Sequence, residues 1–142
     1  MDDDFVATSR VEIDAPPERV WAVITDPAAA REFMFGTELA TDWAVGEPIR
    51  WRGEWEGTPY EDHGTVLEFE PPRRLVTTHF SPLSGQEDVP ENHHTLTWTI
   101  DGDGPTVLTL AQDGNPTPEA AAHSQRNWDS LVASVKAIAE RS

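Results

Sequence analysis

Five histidines (His63, His79, His93, His94 and His123) carry the side chain that titrates nearest neutrality, and 26 Asp and Glu residues supply carboxylates. Metal binding asks for three or four of them in register. His93 and His94 are adjacent, so on a strand they point to opposite faces and cannot share one ion. His79 and His94 fall on different strands and could converge on a cavity, but no third ligand stands in register with them. The expectation is no metal and no cofactor, with one of that pair serving as a polar group in a pocket. Glu54, Glu56, Glu61, Asp62, Glu68, Glu70, Glu87 and Asp88 read as solvated charges, and Glu68, between Leu67 and Phe69, points away from the core. The absence of cysteine excludes thiolate chemistry, disulfides and Cys-type zinc sites. Ser81, Ser84 and Ser124 have no signature partner, and there is no phosphate loop or nucleophile elbow. No residue is assigned as catalytic.

The six tryptophans say more. Indole combines a large apolar area with one N–H donor, which suits the wall of an aromatic-binding cavity. Trp51, Trp55 and Trp98 sit in alternating strand patterns and are candidates for lining such a cavity. Trp21 and Trp128 read first as core residues beside helices, although Trp128 also lies near the cavity. Phe33, Phe35 and His79 complete the candidate pocket set of Phe33, Phe35, Trp51, Trp55, His79, Trp98 and Trp128.

Those residues need elements to hold them. Residues 5–13 alternate with a period of two and predict a first strand. Asp14 as a cap, with Pro16 and Pro17, opens a helix over 17–25, and Asp26-Pro27 separates it from a second short helix over 28–33. From 37 to 112 the pattern is an antiparallel meander. Its runs are 49–55, with Ile49, Trp51, Gly53 and Trp55 on one face, then 64–69, 75–80, 94–100 and 107–112. A long loop over 81–92 breaks it where a pocket mouth could lie. A final helix reaches towards Arg141, with Trp128, Leu131, Val132, Val135, Ile138 and Ala139 as its apolar stripe. Strand, two short helices, about six strands and one long helix define an α+β domain spanning residues 1–142.

Ten basic residues against 26 acidic ones give a formal charge of −16, which repels phosphate backbones and anionic headgroups. Nucleic acid and membrane surfaces are therefore not expected partners. Met1-Asp2-Asp3-Asp4 lacks the features of a signal peptide, so the expected location is the cytoplasm, as monomer or homodimer.

Residues 11–21 (Val-Glu-Ile-Asp-Ala-Pro-Pro-Glu-Arg-Val-Trp), Thr25-Asp26-Pro27, residues 64–76 (Gly-Thr-Val-Leu-Glu-Phe-Glu-Pro-Pro-Arg-Arg-Leu-Val) and Asn127-Trp128 carry a resemblance in their order and spacing. Together they resemble the SRPBCC (START-like) superfamily, specifically the group similar to the C-terminal domain of the Hsp90 ATPase activator. The resemblance implies a helix-grip fold: a seven-stranded antiparallel sheet curled around the C-terminal helix, with a cavity that relatives use for lipids, hormones, polyketides or aromatic compounds. It implies no universal catalytic residue. The sequence departs from the common pattern at Phe33-Met34-Phe35, where relatives often carry a Trp pair, and at Gln112, where many have His.

The leading expectation is a binding protein for a small hydrophobic or aromatic molecule. A polyketide cyclase or aromatase-like enzyme needs a buried acid or base as well, so binding ranks above catalysis. A chaperone-interacting module of the Hsp90 type is the third reading and rests on the resemblance alone.

Overall fold

The computed structural model describes residues 5–34, 36–55, 57–81, 87–89, 92–115 and 117–141, and only the backbone of Trp55. The order of elements is β1 (Phe5–Ile13), α1 (Pro17–Ile24), α2 (Pro27–Phe33), β2 (Glu38–Thr41), β3 (Pro48–Trp55), β4 (Thr58–Glu70), β5 (Arg74–His79), β6 (His94–Asp101), β7 (Thr106–Asn115) and α3 (Pro118–Ala139). The seven strands form one antiparallel sheet in the order β1-β7-β6-β5-β4-β3-β2. The chain thus runs from the β1 edge to the β2 edge through α1 and α2, then meanders back until β7 pairs with β1.

Alternation decides which face is inside. On β1, Ala7, Ser9 and Ile13 are buried, and on β6 Leu96, Trp98 and Ile100 are buried between half-exposed threonines. α3 starts where Thr117 accepts a hydrogen bond from the Ala120 amide and Pro118 fills the first turn, where its missing N–H costs nothing. Its buried side, Leu131, Val132, Val135, Ile138 and Ala139, packs on β1 and β7 and against α1 and α2. The inward face of β3, β4 and β5 lies farther along the curve of the sheet.

Three local details differ from expectation. Asp14 does not cap α1: the cap position is Pro16, and the Asp14 amide instead donates to Glu140 Oε2 at the C-terminal end of α3 at 2.8 Å. α2 begins one residue earlier, at Pro27, with Asp26 accepting from the Ala28 amide at 3.0 Å. β4 begins at Thr58 rather than near Gly64, because cross-strand pairing with β3 carries the polar stretch Tyr60-Glu61-Asp62-His63 into the sheet.

Candidate functional site

Strand register assembles the site in rows. Leu39 pairs with Trp51, and Trp51 with Asp62, across β2, β3 and β4. Thr77 pairs with Leu96, and Leu75 with Trp98, across β5 and β6. All of these side chains front one cavity of about 680 Å³, together with Ile49, Tyr60 and His79. α3 supplies the opposite wall through Trp128 and Leu131, with His123, Asn127 and Ser130 at its exposed margin. The end nearest the short helices is closed by Ile24, Met34, Thr37 and Trp43.

The wall is mainly apolar, and most of its polar groups are engaged. Trp43, whose backbone takes a left-handed φ of 54°, donates its indole N–H to the Thr25 carbonyl at 3.0 Å and stacks on Phe69. The Tyr60 and Thr37 hydroxyls share a hydrogen bond of 3.1 Å. Trp128 donates to Gln112 Oε1 at 3.2 Å.

Asp62 and His79 form an ionisable pair in this wall. His79 Nε2 lies 2.9 Å from Asp62 Oδ2, with the two side chains only 17% and 14% exposed. A carboxylate only accepts, so the proton in this bond belongs to Nε2. The Trp51 ring meets the imidazole edge-on, its centroid 5.0 Å away, and fixes the ring plane. Beyond that bond Asp62 Oδ1 and His79 Nδ1 are buried without a partner among the described residues, as is the Oγ1 of Thr77. An unmet buried polar group costs about 1–3 kcal/mol, so three in one wall are a feature to be explained.

The other face of β4 carries a separate cluster. Asp88 accepts from both His63 (2.9 Å) and His93 (2.7 Å), and His93 stacks on Phe80. The hydrogen bond from His93, then that from His63, holds the Asp88 carboxyl below its ordinary range. Arg52 holds Glu61, and Arg74 holds Glu68, below the usual range in the same way on the outer surface. Among the described residues no group of three or more His, Asp or Glu side chains is arranged to hold a metal ion.

Of the residues nominated from sequence, Trp51, His79, Trp98 and Trp128 are on the cavity wall. Phe33 is not: it is fully buried behind the wall, with its ring 6.4 Å from that of Trp98, because α2 turns it into the core. Phe35 and the side chain of Trp55 lie outside the described residues. His94 turns its Nδ1 to the Asp113 carbonyl at 2.7 Å. Sequence reading missed Asp62, Thr77, Tyr60 and Trp43. The alternation Tyr60, Asp62, Gly64, Val66 carried a signal for the first, whereas Trp43 sits in a connection with no periodicity.

A curved antiparallel sheet gripping a long C-terminal helix, with a cavity between them, defines a helix-grip protein of the SRPBCC type. The family model described as activator of Hsp90 ATPase homolog 1-like protein matches residues 14–140, and the chain belongs to that family. The solution structure of ChR145 from Cytophaga hutchinsonii is 39% identical, with a TM-score of 0.86, covering 99% of this chain and 97% of that one. The Aha1 dimer from Colwellia psychrerythraea is 16% identical, with a TM-score of 0.69 and 96% of each chain covered. DynU16, a putative protein of the dynemicin biosynthetic locus, is 21% identical with a TM-score of 0.78, covering 99% of this chain and 48% of that one. Comparison with curated proteins gives no match. Among the described residues no helix is long and apolar enough to cross a membrane.

Proposed function

We propose that the chain binds a small hydrophobic or aromatic molecule in the cavity between the sheet and α3. The observation that carries this reading is the cavity itself: about 680 Å³, walled by four indoles from β3, β6, α3 and the segment before β3. That volume is in the range of pockets that enclose a drug-sized ligand. Titration with 2-methylnaphthalene, followed by NMR, tests it. The indole resonances of Trp51 and Trp98 and the methyls of Leu75 and Leu96 should shift together, while those of the exposed Val45 and Leu67 stay put. Shifts confined to the exposed residues, or none at saturation, would sink the reading.

A second reading, an enzyme resembling polyketide cyclases, draws support from the Asp62–His79 pair, an imidazole oriented by a carboxylate beside the cavity. Its test is deuterium uptake from solvent at the carbon between the carbonyls of a bound aromatic β-diketone. Uptake above the solvent rate that His79→Gln abolishes would favour it, and uptake unchanged by the protein would remove it.

A further inference from the structure

The polar atoms of the cavity are unevenly used. The hydroxyls of Thr37 and Tyr60 satisfy each other, and the indoles of Trp43 and Trp128 each have a protein acceptor. Among the described residues the buried side-chain atoms with no partner, Asp62 Oδ1, Thr77 Oγ1 and His79 Nδ1, all belong to the paired strands β4 and β5. Thr77 and His79 are two residues apart on β5 and share its inward face. Thr77 is 2% exposed, so bulk water does not reach its hydroxyl. An apolar wall needs none of these groups, and a protein selected only for stability would replace them with Val, Leu or Phe.

We propose that Asp62, Thr77 and His79 anchor a hydroxyl group, phenolic or enolic, carried by the cavity's apolar ligand. The proposal rests on the ligand-binding reading and specifies the ligand's chemistry. Asp62 Oδ1 can only accept, and the imidazole, with its proton on Nε2 against Asp62, offers Nδ1 as a second acceptor. Thr77 can both donate and accept. A ligand hydroxyl matches this mixed set, giving its proton to the carboxylate or imidazole and taking the proton of Thr77. A ligand carboxylate brings a second negative charge beside Asp62. A bare carbonyl uses only the Thr77 donor and leaves both acceptors unmet. An ammonium serves the acceptors but leaves the Thr77 proton without a partner.

The test compares three naphthalene probes, 2-naphthol, 2-methylnaphthalene and 2-naphthylmethylammonium, by NMR titration of the intact chain. 2-Naphthol is expected to bind about tenfold more tightly than 2-methylnaphthalene, the effect of one to two well-made hydrogen bonds in a desolvated site. Thr77→Val, which replaces the hydroxyl with a methyl group, should cut that ratio to about threefold or less. Asp62→Asn should do the same. Equal affinities for naphthol and methylnaphthalene in the unsubstituted protein would overturn the anchor, leave the three groups to water and leave the cavity reading standing. Tighter binding of the ammonium than of the naphthol would overturn the hydroxyl assignment. Failure of every probe to bind would remove the ligand-binding reading and the anchor with it. The ratio in the unsubstituted protein decides the matter even if a variant fails to fold.

Discussion

Trp128 on α3 donates its indole N–H to the side-chain oxygen of Gln112 on β7, so one hydrogen bond of 3.2 Å ties the gripping helix to the sheet at the rim of the cavity. Gln112 is one of the positions where the sequence departs from its resemblance, and it is 6% exposed. Trp128→Phe keeps an aromatic ring, a smaller one, and leaves Gln112 Oε1 buried without that donor. Urea denaturation should show a loss of about 1–3 kcal/mol. Gln112→Leu should cost less, because the partly exposed indole can turn to water; an equal or larger loss would mean that Gln112 acts through something other than this bond.

At Gly64, β4 passes close against the β5 backbone. A β-carbon there would lie 1.9 Å from the Thr78 carbonyl oxygen, a backbone atom that cannot step aside, and the register between β4 and β5 shifts just beyond it. Gly64→Ala should therefore destabilise at or above the upper end of the usual ~1–3 kcal/mol for overpacking. Gly53 offers the contrast. A β-carbon there would meet the hydroxyl of Tyr60 at 2.6 Å, the tip of a side chain that lines the cavity. Gly53→Ala should cost less stability than Gly64→Ala and move the Tyr60 ring, read as a changed Tyr60 NMR signal with the fold intact. Similar stability losses in the two variants would contradict this distinction.

The fold was readable because its signals are local and repeated. The alternation of Leu96, Trp98 and Ile100 against threonines, and the stripe from Leu131 to Ala139, each define an element and its buried face. The cavity was readable only where an aromatic residue sat in such a pattern, as Trp51 and Trp98 do. Asp62 was assigned to solvent because carboxylates usually are, and only the pairing of β3 with β4 puts it opposite Trp51 on the inward face. Phe33 was misplaced because helical spacing identifies a buried residue without saying whether a cavity or packed side chains lie beyond it.

α3 forms the far wall of the cavity, and its start is fixed by one side chain. Thr117 Oγ1 accepts from the Ala120 amide at 3.0 Å, satisfying a donor that the helix leaves without an internal partner. Thr117→Ala should destabilise by about 1 kcal/mol in denaturant titration, whereas Thr117→Ser or Thr117→Asp should hold close to the parent value. A silent Thr117→Ala would show that the packed face of α3, not its cap, fixes where the helix begins.

Part of the acid sensitivity should come from the outer cluster around Asp88, beside that of Glu61 and Glu68. The Asp88 carboxyl is held below the ordinary value of 3.8 by the hydrogen bond from His93 first, then by that from His63, with partial desolvation opposing both. A folded-state pKa depressed below the unfolded one contributes stability that is fully present above the ordinary carboxylate range. That contribution is lost as the pH falls through the depressed value. Carboxyl carbon shifts followed through an acid titration should place Asp88 below 3.8 in the native protein. His93→Ala should move its midpoint upward towards the ordinary value, and Asp88→Asn should flatten the part of the stability profile that this group supplies. An Asp88 titration indifferent to His93→Ala would show that His93 does not hold the carboxyl down.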